Sequence, residues 1–210
     1  MTSTRPDIAY AMGKLSRFTS NPGTHQCQAI NRVFKYLKIT MDYGIIYSIF
    51  PPIVEGYMDT SWITNVKDHS SKTGWIFLLG GGAISWASKK QTCITTLTME
   101  YEFVALAAAC NEAKWLRNLI CEIHLWTKPI TPICIHCDNA STLAKAYHHM
   151  YNGKYRHIGV RHKMIRELIT NGIISFDYVR SQQNLADHLT KGLAKDLVHK
   201  SSIGVGSRSI

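Results

Sequence analysis

The sequence lacks the long apolar stretches of a membrane protein. It has no run of about 18 consecutive apolar residues, the length at which a segment is read as a transmembrane helix, so no membrane-spanning segment is expected. It also has no apolar stretch near its start of the kind found in secretory signal peptides. These absences favour an intracellular protein, cytoplasmic or nuclear.

Cysteine is present without the pattern of a small secreted protein stapled by disulfides. The chain of 210 residues contains six cysteines, at positions 27, 93, 110, 121, 134 and 137, and we expect them to be reduced thiols. Cys134 and Cys137 form a Cys-x-x-Cys pair that superficially resembles a zinc site. Because residues three apart on a strand point to opposite faces, we do not expect these thiols to chelate one ion.

Acidic residues are scarce. The chain has 14 Asp and Glu against 24 Lys and Arg, a formal net charge of +10. This balance favours a polyanionic partner, most simply nucleic acid, although a basic protein without such a partner has the same composition. Hydrophobic residues make up 45% of the chain, which is typical of a folded protein with a sizeable core and not of a disordered one.

The pattern of apolar residues changes at Pro51-Pro52, where we place a domain boundary. Before it, helical spacing predicts two helices within residues 5–40. After it, the predicted strands are 53–59, 74–79, 83–87, 130–137 and 173–179, and the predicted helices are 98–124, 139–149, 157–171 and 184–197. Residues 198–210 are predicted to be a disordered tail. The chain is therefore expected to have an α/β fold.

Four acidic residues occupy settings that suggest a function: Asp59, Glu102, Asp138 and Asp187. Asp59 and Asp138 each end an apolar strand, where open α/β sheets present their ligand groups. If the four carboxylates converge, they form an all-oxygen site of the kind that Mg²⁺ prefers. Two such ions could activate a water and stabilise the leaving oxygen of a phosphodiester. A basic protein with such a site suggests a nuclease.

Helical geometry separates the two glutamates of the long helix. At about 100° per residue, Glu102 falls in the apolar stripe of helix 98–124, whereas Glu100 is predicted to project from the opposite side. A glutamate on an apolar face must be paired, metal-bound or at the rim. A plain alternative is that Glu102 reaches solvent at the helix end. Similarly, Asp187 follows Asn184 and has an alternative role as a first-turn aspartate favoured by the helix dipole.

Several motifs carry a resemblance to a known family. They are Gly56-Tyr57-Met58-Asp59, Gly80-Gly81-Gly82-Ala83-Ile84-Ser85-Trp86, Glu100-Tyr101-Glu102-Phe103-Val104-Ala105-Leu106, Cys137-Asp138-Asn139 and Ala186-Asp187-His188-Leu189-Thr190-Lys191. In this order they resemble the ribonuclease H domain of copia-type retrotransposon Pol polyproteins, over residues 53–197.

The leading residues resemble the end of the preceding reverse transcriptase. The matching motifs are Arg5-Pro6-Asp7-Ile8, Leu15-Ser16-Arg17-Phe18 and Tyr36-Leu37-Lys38. Residues 1–50 are thus predicted to be a helical C-terminal remnant of that enzyme, and the chain a C-terminal fragment of the polyprotein. The paired aspartates of the polymerase are absent, so no polymerase activity is expected.

The resemblance implies a mixed five-stranded sheet flanked by helices and preceded by a small helical segment. It also implies that Asp59, Glu102, Asp138 and Asp187 bind two Mg²⁺ ions, with Mn²⁺ as an alternative, and that the site cuts the RNA strand of RNA–DNA hybrids. The expected partners are the hybrid and the upstream reverse transcriptase domain, within a virus-like particle in an intact element.

Four further residues are predicted to assist. Lys89, Lys90 and Arg161 are candidates for contacts to nucleic acid, although the lysine pair can equally be a solvated loop. His157 is a candidate for helping proton transfer or product release, with a surface histidine at a helix start as the alternative. The acid that follows this histidine in the family is replaced by Gly159.

Other functions stay open at this point. The chain can be a catalytically silent remnant that binds nucleic acid without cutting it. It can also be an integrase-like nuclease acting on DNA ends, or a purely structural element. Asp59-Thr60-Ser61 hints at an aspartic protease, but the usual glycine and a second copy are missing.

Overall fold

The computed structural model of the chain describes residues 3–48, 51–61, 71–91, 98–124, 126, 128–151 and 155–209. Its leading part contains α1 (Ala9–Leu15), α2 (Thr24–Ile39) and the short strand β1 (Tyr43–Ile45). The next strands are β2 (Val54–Ser61), β3 (Lys72–Leu79), β4 (Gly82–Lys90), β5 (Ile133–Cys137) and β6 (Ile174–Tyr178). The later helices are α3 (Thr98–Glu122), α4 (Ala140–Tyr147), α5 (Arg156–Thr170), α6 (Asp187–Thr190) and α7 (Lys195–Gly204), and the final strand is β7 (Ser207–Ser209).

The main sheet has five strands in the order β4-β3-β2-β5-β6. Strands β2, β3 and β4 pair antiparallel, whereas β5 runs parallel to β2, and β6 runs parallel to β5. The hairpin between β3 and β4 turns at Gly80 and Gly81, whose φ angles of 55° and 78° suit glycine and the tight hairpin turns that favour it. This mixed sheet confirms the predicted fold class.

Helices cover both faces of the sheet because alternate strand residues point to opposite sides. Met58 and Phe77 face α3, α4 and α5 and lie in the larger core with Phe103 of α3. Ile76 and Leu78 belong to a smaller core on the other face. That smaller core is completed by residues from the start and the end of the chain: Ala9, Ala186, Leu189 and Val205.

The leading segment is fastened by a buried polar network around Asp7. The guanidinium of Arg5 donates to both carboxylate oxygens of Asp7, at 3.0 and 2.7 Å, and the Tyr36 hydroxyl donates to the same carboxylate at 2.6 Å. Arg5 also donates to the Thr40 carbonyl at 3.0 Å. The network joins α2 to the turn before α1, which packs against β4 and α6. The origin of this segment in a reverse transcriptase stays a prediction.

The prediction that residues 198–210 form a disordered tail is wrong. The predicted last helix is divided into α6 and α7, and α7 continues to Gly204. Strand β7 then pairs antiparallel with β1. The apolar Val205 is fully buried in the smaller core. Its burial and the backbone pairing to β1 order a segment whose small polar residues suggested disorder.

Two other expectations meet direct observations. No helix among the described residues is both long enough and apolar enough to cross a membrane. The free thiols are Cys27, Cys110, Cys121, Cys134 and Cys137, while Cys93 lies outside the described residues.

The Asp7 network predicts that Asp7→Asn destabilises the whole fold. Removing one partner of a buried ion pair leaves the other charge without compensation, so the free energy of unfolding should fall by about 3 kcal/mol. Urea unfolding measures this loss. The control is Glu167→Gln, since Glu167 and Lys163 form an exposed pair at 4.0 Å that should contribute less than about 0.5 kcal/mol. An Asp7→Asn protein that unfolds at the urea midpoint of the wild type would contradict this account.

Candidate metal centre

Three aspartates, Asp59, Asp138 and Asp187, meet where the carboxyl ends of the central strands β2 and β5 lie side by side. We call this end of the sheet, with its three aspartates, the acidic edge. Asp59 lies on β2, Asp138 directly follows β5, and Asp187 begins α6. In the parallel register of β2 and β5, Tyr57 pairs with His136. Asp59 and Asp138 each come two residues later in the chain, so they are close to each other. One oxygen of each of the three carboxylates lies within 4.8 Å of the others. The predicted convergence of these acids is thus seen in the fold.

Helix α6 reaches this edge because of two local features. The Asn184 side chain is buried, donates to the Met58 carbonyl at 2.9 Å and accepts from the Ala186 backbone N–H at 3.1 Å. Gly74 of β3 leaves room for the helix, since a Cβ there would lie 2.7 Å from the Thr190 methyl carbon. Asn184 therefore ties the segment before α6 to the residue next to Asp59, and Gly74 permits the close packing.

Each aspartate has a hydrogen-bond or charge partner from the protein. The Thr190 hydroxyl donates to Asp59, and the Ser181 hydroxyl donates to Asp138 at 2.6 Å. The Lys191 ammonium lies 3.0 Å from Asp187 Oδ1 and 3.5 Å from Asp59 Oδ2. Burial lowers the pKa of Lys191, but the charges of Asp59 and Asp187 outweigh it and raise the pKa overall.

Glu102, in the first turns of α3, interacts electrostatically with two of the three aspartates. Its pKa is raised to about 7, chiefly by burial and also by the charges of Asp59 and Asp138, while a hydrogen bond with Thr60 and the charge of Lys191 lower it. Its Oε2 atom is buried without a hydrogen-bond partner. Glu102 is outside the trio of aspartates that lie within 4.8 Å of one another, but its charge interacts with two of them.

Burial and the neighbouring negative charges both raise the pKa of Asp59. Its pKa is raised to about 6, chiefly by burial and also by the charges of Asp187 and Asp138, while the Thr190 hydrogen bond and the charge of Lys191 oppose the shift. A divalent cation would reverse these penalties by favouring the ionised carboxylates. The oxygen donors and the unpartnered Glu102 oxygen therefore fit a hard cation such as Mg²⁺.

Glu100 is not where the helical pattern predicted. Instead of projecting from an exposed side, it is buried, with 4% of its surface exposed, and its Oε2 atom has no hydrogen-bond partner. Its charge acts on Lys145 of α4, whose ammonium lies 5.2 Å from the Phe103 ring. Because α4 and α5 both pack near the start of α3, a second side of that helix is covered.

The four assisting residues lie at the end of β4 and in the first two turns of α5, and their roles stay predictions. Lys89 and Lys90 are exposed at the end of β4, and the Lys89 ammonium lies 5.0 Å from the Trp75 ring. Arg161 donates to the His157 carbonyl of its own helix at 2.9 Å. His157 is in the first turn of α5 and is not part of the acidic group found among the described residues.

Sequence reasoning gave Asn184 the role of a helix N-cap, whereas the N-cap of α6 is Ala186 and Asn184 instead binds the Met58 carbonyl. It assigned no supporting role to Thr190, Ser181 or Lys191, which contact the aspartates. One signal was available for Lys191, because it stands four residues after Asp187, a spacing that pairs opposite charges on a helix. The Thr190 contact to Asp59 joins residues 131 positions apart. No local pattern indicates such a contact.

Comparisons with known proteins bear on the family. The retrovirus-related Pol polyprotein from transposon TNT 1-94 of Nicotiana tabacum is 35% identical over 191 residues, which is 91% of this chain and 14% of that protein. The corresponding polyprotein from transposon RE1 of Arabidopsis thaliana is 31% identical over 205 residues, 96% of this chain and 14% of that protein. The chain therefore spans about one seventh of the relatives it matches. No protein-family model matches it.

Solved structures of low identity were also found. LC11-RNase H1, isolated from compost by a metagenomic approach, has a TM-score of 0.49 and 14% identity, covering 71% of this chain and 98% of that one. A second structure of LC11-RNase H1, in complex with an RNA/DNA hybrid, has a TM-score of 0.48.

The strand order and the helices on both faces give the chain a ribonuclease H-like fold, a mixed five-stranded sheet flanked by helices. Most of the chain aligns with plant transposon polyproteins at 30% identity or more. The chain belongs to the family of copia-type, retrovirus-related Pol polyproteins of plant transposons.

The raised pKa of Glu102 predicts that the stability of the metal-free protein depends on pH. Its pKa is about 7 in the folded chain against an ordinary value of 4.5, so between these values the folded state binds more protons than the unfolded state. The free energy of unfolding should therefore fall as the pH rises through this interval. The glutamine of Glu102→Gln cannot titrate. In this variant the free energy of unfolding should therefore fall by on the order of 2 kcal/mol less than in the wild type over the same pH interval.

Urea unfolding in EDTA, at pH values from about 4.5 to about 7, measures the effect in both proteins. Equal slopes for the wild type and Glu102→Gln would show that Glu102 is not the group responsible.

Proposed function

We propose that this chain is a metal-dependent endonuclease that cleaves the RNA strand of RNA–DNA hybrids. The observation that carries the proposal is the approach of Asp59, Asp138 and Asp187 to within 4.8 Å at one edge of a ribonuclease H-like sheet. Glu102, with its unpartnered buried oxygen, supports the same site. Membership of a family of retrovirus-related Pol polyproteins supports a hybrid as the substrate.

The four carboxylates would hold the ions, two Mg²⁺ or two Mn²⁺. When bound, such ions supply activation of a water and stabilisation of the leaving oxygen. The chain contributes the positions of the ligands: Thr190 fixes a carboxylate oxygen of Asp59, and Ser181 fixes one of Asp138. The Thr190 hydrogen bond lowers the pKa of Asp59 and so favours the ionised carboxylate that ion binding requires.

Substrate binding would draw on the basic surface. The net charge of +10 favours a polyanion, and we propose that Lys89, Lys90 and Arg161 contact its phosphates. Contacts to 2′-hydroxyls would distinguish the RNA strand from the DNA strand. His157 is proposed to assist proton transfer or product release from its place at the start of α5.

The biological setting belongs to the longer polyprotein. We propose that the domain acts during reverse transcription, next to an upstream reverse transcriptase domain and inside a virus-like particle. The leading helical segment, packed against β4 and α6, would be the end of that upstream domain.

One observation favours a second function, in which the chain binds nucleic acid without cutting it. Gly159 stands where the family carries an acid, so the start of α5 lacks a side chain that the resemblance leads one to expect. The four main carboxylates are nevertheless retained. Cleavage and binding must therefore be measured side by side.

The proposal predicts that Asp138→Asn abolishes cleavage. With Mg²⁺, the wild type should cut only the RNA strand of a labelled hybrid, and EDTA should stop it. Asp138→Asn should lower the rate at least about 100-fold, because it removes one ligand charge from the metal site. The matched control is Asp177→Asn, since Asp177 is exposed on the neighbouring strand β6 and outside the acidic group.

The outcomes separate the two functions. Loss of cutting in Asp138→Asn with retention in Asp177→Asn supports the nuclease. A folded wild type that binds the hybrid without cutting it identifies a silent binder. Equal cutting by the wild type and Asp138→Asn would mean that the activity comes from a contaminant.

A further inference from the structure

The acidic edge poses an electrostatic problem in the absence of a divalent ion. Three carboxylates share a region 4.8 Å across, and a fourth interacts with them. Asp59 exposes 2% of its surface, so water screens little of its repulsion from the others. A folded chain without metal therefore needs a positive charge of its own at this place or must protonate the acids.

Lys191 has the position of such a charge. Its ammonium bridges two of the acids, at 3.0 Å from Asp187 Oδ1 and 3.5 Å from Asp59 Oδ2. The two acids come from different elements, β2 and α6, so the bridge holds the helix to the sheet. Within the described residues, Lys191 is the cation that forms ion pairs with members of the acidic group.

A backbone hydrogen bond fixes the main chain of Lys191, whereas its side chain is partly exposed to solvent. The Lys191 backbone N–H donates to the Asp187 carbonyl at 3.0 Å and closes the single turn of α6. The side chain is 40% exposed, with a flexible four-carbon stem. The ammonium can therefore leave for solvent without a change in the backbone.

We propose that Lys191 is a built-in counter-ion that holds Asp59 and Asp187 together in the metal-free chain and competes with divalent ions for their oxygens. The inference rests on the metal site of the proposed function and adds a regulation of it. The ammonium occupies part of the acceptor capacity of both carboxylates, and its positive charge repels a divalent ion placed beside it. Ion binding is therefore weakened as long as the ammonium stays in place.

Two opposite effects follow from removing the charge. Without metal, the repulsion between the acids is no longer offset, and the protein should be less stable. With metal, the competitor is gone, and the ion should bind more tightly. A residue that merely packs against α6 would lower stability in both states and would not tighten metal binding.

The test compares Lys191→Met, which keeps an unbranched side chain without charge, with the wild type. In EDTA, the variant should melt lower by about 3 °C, as expected for a loss the size of a partly exposed ion pair. Saturating Mg²⁺ should restore the melting temperature to that of the wild type. Calorimetric titration should show Mg²⁺ binding about fivefold tighter.

Three controls sharpen the reading. Lys163→Met removes an equally spaced lysine from the exposed pair with Glu167 and should change neither quantity. Lys191→Arg keeps the charge and should stay near the wild type in both assays. Asp138→Asn should lose the Mg²⁺-dependent rise in melting temperature.

The results distinguish this inference from the proposed function. Equal melting temperatures in EDTA, or unchanged or weaker Mg²⁺ binding in Lys191→Met, would overturn the counter-ion role while a Mg²⁺ response of the wild type still supported the metal site. A wild type with no Mg²⁺ response would overturn both.

Discussion

The repulsion among four carboxylates at one edge of the sheet is the constraint on which the rest of the site depends. Bringing Asp59, Asp138 and Asp187 to within 4.8 Å of one another opposes folding unless positive charge or hydrogen bonds offset it. The chain supplies hydroxyl donors from Thr190 and Ser181 and an ammonium from Lys191. These offsets are partial, since burial, together with the charges of Asp187 and Asp138, still raises the pKa of Asp59 to about 6. A divalent cation would offset the remaining electrostatic cost of ionising these carboxylates more fully than the Lys191 ammonium does.

The fold brings the acids together from four places: strand β2, the end of strand β5, helix α3 and helix α6. Two parallel strands bring Asp59 and Asp138 to adjacent strand ends, the long helix α3 brings Glu102, and the single turn of α6 brings Asp187. The last of these depends on both ends of the chain, because Ala9 and Val205 complete the core on which Leu189 of α6 packs. The leading segment thus contributes to the core that supports α6, the helix that carries Asp187.

Sequence reasoning reached most of the sheet and the main acids because both depend on local patterns. An apolar run that ends in an aspartate predicts a carboxylate near the end of a strand, and Asp59 and Asp138 are such cases. The 25-residue helix α3 follows from sustained helical spacing. The resemblance to a known family joined these local signals into one site.

The errors have a common physical origin in contacts between distant parts of the chain. The tail is ordered because Val205 enters a core formed with Ala9, far away in sequence. Glu100 is buried because other helices pack beside α3, which helical periodicity alone does not show. The hydroxyl of Thr190 and the ammonium of Lys191 likewise act on Asp59 across more than 130 positions. Such contacts are set by tertiary packing.

Anomalous diffraction from crystals grown with Mn²⁺ tests the central claim, that the acidic edge is a divalent metal site. The account predicts two anomalous peaks coordinated by the carboxylates of Asp59, Glu102, Asp138 and Asp187, with the Lys191 ammonium displaced from Asp59. Anomalous peaks only elsewhere, with Lys191 still bridging Asp59 and Asp187 at high Mn²⁺ concentration, would contradict it.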